Sequence, residues 1–213
     1  MPNQDRGHKW FAALFDRIMA SAERSFMKRV RRDITGGAKG RVLEIGCGTG
    51  ANFPYYSDQA DEVIATEPDP YMLERARKKA DTARRPLEIR QASAEELPFP
   101  DSSFDTVVST LNMCSIPHPD RALAEIKRIL KPSGEYRFYD HVRYGNAFGA
   151  FWQDLIAPVW GWLGAGCHPN RDIAAFIRDA GFELERLESS KPLPPIPPML
   201  FSRPHILGVA RPA

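Results

Sequence analysis

A chain of 213 residues can bury a sizeable core as one domain, and its 43% hydrophobic and 26% charged residues are ordinary for a soluble globular protein. The formal net charge of only +2 gives no electrostatic case for a nucleic-acid partner. The three cysteines, Cys47, Cys114 and Cys167, are widely spaced with no CxxC pair, which argues against a disulfide framework or a structural zinc site and suits a reducing cytoplasm.

No apolar run approaches the ~20 residues of a membrane span, and Met1 to Arg6 lack the apolar stretch of a signal peptide. Residues 9–32 carry a helical pattern: Phe11, Leu14, Phe15, Ile18, Ala22 and Phe26 recur at three- and four-residue spacing, with Lys9, Arg17, Arg24, Lys28 and Arg29 between them. Such a helix can pack on the domain, cover an active site as a lid, or rest peripherally on a membrane surface. Residues 1–38 are therefore read as an amphipathic helical cap, and Gly36-Gly37 ends it.

Arg41 to Ile45 forms a buried strand that stops at Gly46, Gly48 and Gly50, with Pro54 placed to open a helix. Glu62 to Thr66 is a second strand, followed by Glu67. Asp69-Pro70 starts a helix carrying Met72, Leu73, Ala76 and Ala80 on one face. Leu87 to Ala92 and Phe104 to Thr110 are the third and fourth strands. Pro119 opens a helix that Lys131-Pro-Ser-Gly134 stops, and Tyr136 to Asp140 is the fifth strand. Phe148 to Leu163 is aromatic-rich around Pro158, Asn170 caps a helix ending at Gly181, and Phe182 to Leu187 is a strand. A loop with Pro192, Pro194, Pro195, Pro197 and Pro198 precedes a last strand, His205 to Ala210. The β-α alternation predicts a Rossmann-like, doubly wound, mostly parallel sheet of seven strands with an antiparallel last strand, in three α/β/α layers.

The glycine turn is where such a sheet seats a nucleotide-like ligand against bare backbone. A structural turn is the bland alternative. GxGxG departs from the dinucleotide pattern GxGxxG, and no Walker lysine follows. Glu44, two residues before Gly46, suits a cationic ligand and repels a pyrophosphate. Glu67 stands where a carboxylate accepts hydrogen bonds from both ribose hydroxyls. Ala94 and Glu95 can read an adenine edge, and Thr110 and Leu111 follow the fourth strand beside the ligand. An adenosyl sulfonium, S-adenosylmethionine, fits these features.

The motifs Glu44-Ile-Gly-Cys-Gly-Thr-Gly50, Glu67, Ala94-Glu95 through Asp105 and Leu130-Lys-Pro-Ser-Gly134 resemble those of class I S-adenosylmethionine-dependent methyltransferases of the type-11 kind. A narrower likeness joins Cys47 to Phe53, Thr110 to Ser115, Asp140-His-Val142, Trp152-Gln153, Gly166-Cys167 and Arg203 to Gly208. These stretches are similar to the methyltransferase-like enzymes of animal microsomes that methylate alkyl thiols, and to their bacterial relatives. Those animal proteins begin with a hydrophobic anchor; this chain carries the amphipathic segment instead. The resemblance implies a methyltransferase domain over residues 39–213. It implies S-adenosylmethionine as cofactor, S-adenosylhomocysteine as product, a small lipophilic acceptor and no metal. The implied cofactor contacts are Glu44, Gly46, Cys47, Gly48, Gly50, Asn52, Glu67, Pro68, Met72, Ala94, Glu95, Thr110 and Leu111.

In-line displacement at a sulfonium needs a nucleophile held ~3–3.5 Å from the methyl and water kept away. A thiol of pKa ~8.5 is already partly ionised and asks little of a base. His141, after the fifth strand, is the candidate base or acceptor-positioning residue, with a loop-capping role as the alternative. Asp140 is placed to orient it, yet neighbours on a strand point to opposite faces, so only one faces the cavity. Asn112, Cys114, Trp152 and His168 are acceptor-side candidates. Cys47, Cys114 and Cys167 read as small buried residues, Trp152, Trp160 and Trp162 as core, and His8 and His118 as surface. Thiol sulfur is the favoured acceptor. A quinone or phenol C- or O-methyltransferase, a non-catalytic S-adenosylmethionine-binding module and a nicotinamide dehydrogenase are the competing readings, the last disfavoured by GxGxG and Glu44.

Overall fold

The structure, a computed structural model, describes residues 9–164, 166–194 and 199–213. His8 and the prolines 195, 197 and 198 lie outside them. The seven strands are β1 (Gly40–Ile45), β2 (Ala60–Thr66), β3 (Leu87–Arg90), β4 (Phe104–Thr110), β5 (Leu130–His141), β6 (Phe182–Ser190) and β7 (His205–Pro212). They lie side by side in the order β3-β2-β1-β4-β5-β7-β6. β1 pairs in parallel with β2 and β4, β2 with β3, and β4 with β5, whereas β7 runs antiparallel to both β5 and β6. The chain leaves β1 toward one edge and returns at β4 toward the other. A crevice therefore opens at the carboxyl ends of β1 and β4.

Alternation along the strands sorts the core into two layers. Leu43, Ile64 and Val107 face helices α4 (Pro119–Ile129) and α6 (Ile173–Asp179), packing with Leu123, Ile126, Ile173 and Ile177. Their neighbours Val42, Val63 and Val108 face helix α2 (Lys28–Gly36), meeting Ile34 and the preceding Met27. Each such side chain, taken fully from water, contributes roughly 1.5–3 kcal/mol. Helix α3 (Pro70–Lys78) starts where Asp69 accepts from the backbone N–H groups of Tyr71 and Met72, and it buries Ala76 beside Cys47, Phe53 and Ala65.

The amphipathic N-terminal segment is one long helical run in two roles. Helix α1 (Lys9–Ala22) passes through a wider π turn at Glu23–Met27 into α2. α2 is part of the core, and Arg186 and Arg137 clamp it through the Asp33 carboxylate and the Ile34 carbonyl. α1 reaches the glycine turn: the Thr49 hydroxyl donates to Asp16, which also pairs with Lys79 at 2.9 Å.

Several local expectations change. Pro54 opens only a 3-10 turn, Phe53–Tyr55, because Phe53 is drawn into the core and the chain must turn back for β2. The helix stops at Ile129 as expected, but β5 begins before Tyr136. Leu130 already pairs with Phe104, and an irregularity absorbs Lys131 to Gly134 before Glu135 meets Thr106. Asn170 is not the helix cap; Asp172 is, accepting from Ala175, while the Asn170 amide donates to Asp154. Trp152 and Trp162 are not core. They lie on the outer face of α5 (Ala147–Leu163), 41% and 78% exposed, and that helix runs through Pro158.

Candidate active site

The turn after β1 demands glycine at each alternate position. Gly46, Gly48 and Gly50 all have positive φ (58°, 57° and 78°), the left-handed region that side chains resist. They differ in what lies above them. A Cβ on Gly46 would strike the Asn112 side chain, and one on Gly50 would strike the Phe53 ring. A Cβ on Gly48 would meet nothing within 4 Å. The open floor of the crevice is thus the backbone at Gly48.

Glu67 closes in on that floor from β2. Its carboxylate accepts from the Gly48 N–H at 2.8 Å and from the Asp69 N–H at 3.0 Å. Burial pushes its pKa up to about 7, against the pull of those two amides. Glu44 lies deeper, 2% exposed. It accepts from the Asn52 amide at 2.9 Å and the Tyr56 hydroxyl at 2.8 Å, and burial raises it also to about 7. Asn52 is the hub of this network, donating in addition to Thr110 and accepting from the buried Arg31 guanidinium. Arg31 in turn is paired with Glu23, so the π turn of the N-terminal helix is wired to the glycine turn. Cys47 is buried, and its N–H continues the β1–β2 ladder to the Thr66 carbonyl.

On the third strand's side, Ala94 packs into the core, and the Glu95 carboxylate accepts from the His118 N–H at 2.7 Å, at the start of α4. Met72 is buried, and the Pro68 carbonyl accepts from the Gln91 amide. Leu111, immediately after β4, has φ +55° although it is not glycine. A side chain held there costs on the order of 1–3 kcal/mol. The turn it makes brings Asn112 back over β1, where its amide donates to the Ile45 carbonyl at 2.9 Å.

A second cluster of candidate site residues is built around the end of β5. Asp140 is fully buried and does not orient the His141 ring: its carboxylate accepts from the N–H groups of Asn112, Met113 and Cys114. Arg171 braces the same loop by donating to the carbonyls of Met113 and Ile116. His141 is half-buried, and its Nδ1 stands 3.6 Å from the sulfurs of both Cys114 and Cys167. The sulfur–sulfur contact between them draws the Cys167 thiol well below the ordinary range and pushes Cys114 up. Burial opposes a charged imidazole, yet Cys167 and Asp140 hold His141 above its usual value. His168 is exposed, its Nδ1 2.6 Å from the Gly166 carbonyl, and His118 is exposed as expected. Trp152 lies edge-on to Phe148 and Phe151 on the outer face of α5.

Sequence reasoning located the crevice floor and Glu67 but missed three arrangements. These are the Arg31–Asn52–Glu44–Tyr56 network, the three amides gathered by Asp140, and the convergence of Cys114, His141 and Cys167. The last had no signal in spacing, since the two cysteines are 53 residues apart.

The open sheet, the left-handed glycine turn and the carboxylate at the end of β2 define a class I S-adenosylmethionine-dependent methyltransferase. The Methyltransferase domain family matches residues 43–138. Human thiol S-methyltransferase TMT1B is 32% identical over 200 residues, covering 92% of this chain and 80% of that protein. The chain belongs to this methyltransferase family. The UbiE ubiquinone/menaquinone C-methyltransferase of Bordetella avium is also 32% identical, over 58% of this chain and half of its own length. A SAM-dependent methyltransferase from Aquifex aeolicus superposes with a TM-score of 0.66 at 16% identity, covering 98% of this chain and all of that one, which shows the shared fold.

Proposed function

We propose that the enzyme methylates the sulfur of a small, lipophilic thiol. The observation that carries this reading is the extent of the likeness. A protein named for thiol S-methylation matches 92% of the chain, acceptor side included, whereas the quinone methyltransferase matches 58%.

S-adenosylmethionine supplies an electrophilic methyl on a sulfonium. The chain's own part begins with Gly48, whose bare backbone lets the donor lie close, and Glu67, whose remaining lone pairs face the ribose position. Glu44 adds negative potential beneath the turn, and Asn52 holds it in place. Asn112 fills the space above Gly46 and fixes where the donor ends. Asp140 rigidifies residues 112–114, so the acceptor meets a preorganised wall. His141 positions the acceptor sulfur or takes its proton.

The test is a labelled-methyl screen of alkyl and aryl thiols, quinones and phenols, with products identified by mass spectrometry. A thioether product is expected. Methylated quinone or phenol with no thioether would move the protein to the C- or O-methyltransferase reading.

We infer in addition a peripheral membrane contact through residues 9–32. No described helix is long and apolar enough to cross a membrane. What supports contact is the outer stripe Trp10, Leu14 and Ile18, 50%, 42% and 59% exposed, with exposed Arg17, Arg24 and Lys28 beside it. Co-sedimentation with anionic vesicles, lost in Leu14→Glu, is the expected result; no sedimentation of the unaltered chain would remove the idea.

A further inference from the structure

Three soft ligands converge beside the crevice. The sulfurs of Cys114 and Cys167 are 3.6 Å apart, and the His141 Nδ1 lies 3.6 Å from each. No spacing rule produces this. The first cysteine comes from the loop after β4, the histidine from the end of β5, and the second cysteine from the loop after α5.

The triangle has the dimensions of one face of a metal tetrahedron. With bonds of about 2.3 Å to sulfur and about 2.0 Å to nitrogen, tetrahedral zinc separates its sulfurs by roughly 3.8 Å and each sulfur from the nitrogen by roughly 3.5 Å. A pair of thiols awaiting oxidation needs no imidazole equidistant from both.

The backbone around the ligands is pinned. The Cys114 N–H is held by Asp140 and its carbonyl accepts from the His168 N–H at 2.8 Å, which ties the two cysteine loops together. The Cys167 N–H donates to the Gly164 carbonyl. His205 packs against the His141 ring at 4.5 Å between centroids. Both Asp140 oxygens are occupied by amides, which leaves it as a supporting charge, while Arg171, reaching that loop from the segment between α5 and α6, offsets it. Two thiolates then neutralise a dication without surplus charge.

We propose that Cys114, His141 and Cys167 form a three-ligand site for zinc, with the fourth position left for an incoming ligand. Among the described residues no further Cys, His, Asp or Glu joins the three. Three protein ligands with one open place is the pattern of a reactive site, where a structural zinc would be closed by four. The occupant of the open place rests on the thiol reading above. An acceptor thiol there loses its proton to solvent. Its sulfur forms the new S–CH3 bond as the sulfonium–methyl bond breaks, and that bond's electron pair leaves on S-adenosylhomocysteine. The neutral thioether is a poorer ligand than the thiolate and departs.

The test measures metal apart from catalysis. The full chain, expressed with zinc and purified without chelator, is expected to carry one zinc per chain by mass spectrometry of the metal. It is also expected to resist a weak metallochromic chelator. Cobalt loading should give the thiolate-to-cobalt band and the intense visible bands of four-coordination. Cys114→Ser and Cys167→Ser should each lose that band and the retained zinc. Circular dichroism checks that the variants fold; if one does not, the chelator competition on the unaltered chain decides. Zinc-free protein, a six-coordinate cobalt spectrum, or a Cys114–Cys167 disulfide in place of metal would each overturn the site. Stoichiometric zinc with no thiol methylated would overturn the thiol reading and leave the site standing. Full thiol turnover by metal-stripped chain would overturn the open-position role and leave the thiol reading intact.

Discussion

The two sides of the crevice are built by different means. The side proposed to hold the donor, from the glycine turn to Glu67, is mainly backbone: three left-handed glycines, a carboxylate caught by two amides, and a floor with nothing above Gly48. The acceptor side is mainly side chain. Asp140 and His141 from β5, Cys114 from the loop after β4, and Cys167 and Arg171 from the segment after α5 hold one another through hydrogen bonds and sulfur contacts. A backbone cradle suits one constant ligand, because apart from its glycines it depends little on which side chains surround it. A side-chain wall can be rebuilt for a new acceptor without disturbing the cradle. The buried network from Arg31 through Asn52 to Glu44 adds that the N-terminal helix belongs to the donor side as well.

The sharpest way to test the division is within the turn itself. Gly46→Ala places a Cβ against Asn112 at positive φ and should cost on the order of 3 kcal/mol of folding stability along with cofactor binding. Gly48→Ala meets open space and should lose only about 1–2 kcal/mol of stability from its φ, while still weakening the cofactor. Urea melts and calorimetry read both; equal stability losses would erase the distinction. On the other side, His141→Ala should lower turnover roughly 10²-fold with cofactor affinity intact, read by steady-state rates beside a binding titration. An unaltered rate would return His141 to a structural role.

Glu67→Ala should weaken the cofactor by about 2 kcal/mol through lost charge-assisted hydrogen bonds, and calorimetry showing unchanged binding would place the ribose contact elsewhere. The pH dependence follows from the same group. Glu44 and Glu67 sit at about 7 in the folded chain against an ordinary 4.5, so the fold holds more protons than the unfolded chain between those values. Stability of the ligand-free protein is therefore lost as pH rises through that window. Cofactor binding that needs the Glu67 carboxylate ionised should tighten by up to about tenfold per unit as pH approaches 7 from below, and level off above it. A flat binding profile from pH 5 to 8 would contradict this. The smallest effect belongs to Trp162→Ser. At 78% exposed, its loss should change stability by under about 0.5 kcal/mol while raising KM for lipophilic acceptors, and a large drop in thermal stability would mean it packs against something in solution.

The amino-acid sequence by itself determined the sheet and the glycine turn with its carboxylate neighbour. Apolar strands, caps such as Asp69 and a glycine run are local patterns, and a glycine turn is chemically the same object wherever the fold places it. Helix boundaries slipped where a tertiary demand outweighed a local one. Phe53 was pulled into the core and shortened the turn to 3-10, and Asp172 took the cap that Asn170 could have made. The exposed tryptophans of α5 were misjudged because aromatic content carries no record of which face a helix turns outward. Only the tertiary structure decided the acceptor side. Cys114 and Cys167 are 53 residues apart, and their 3.6 Å separation exists because the loop after α5 comes back to the carboxyl ends of the adjacent central strands β4 and β5. Long-range convergence of side chains is set by topology, and no spacing along the chain encodes it.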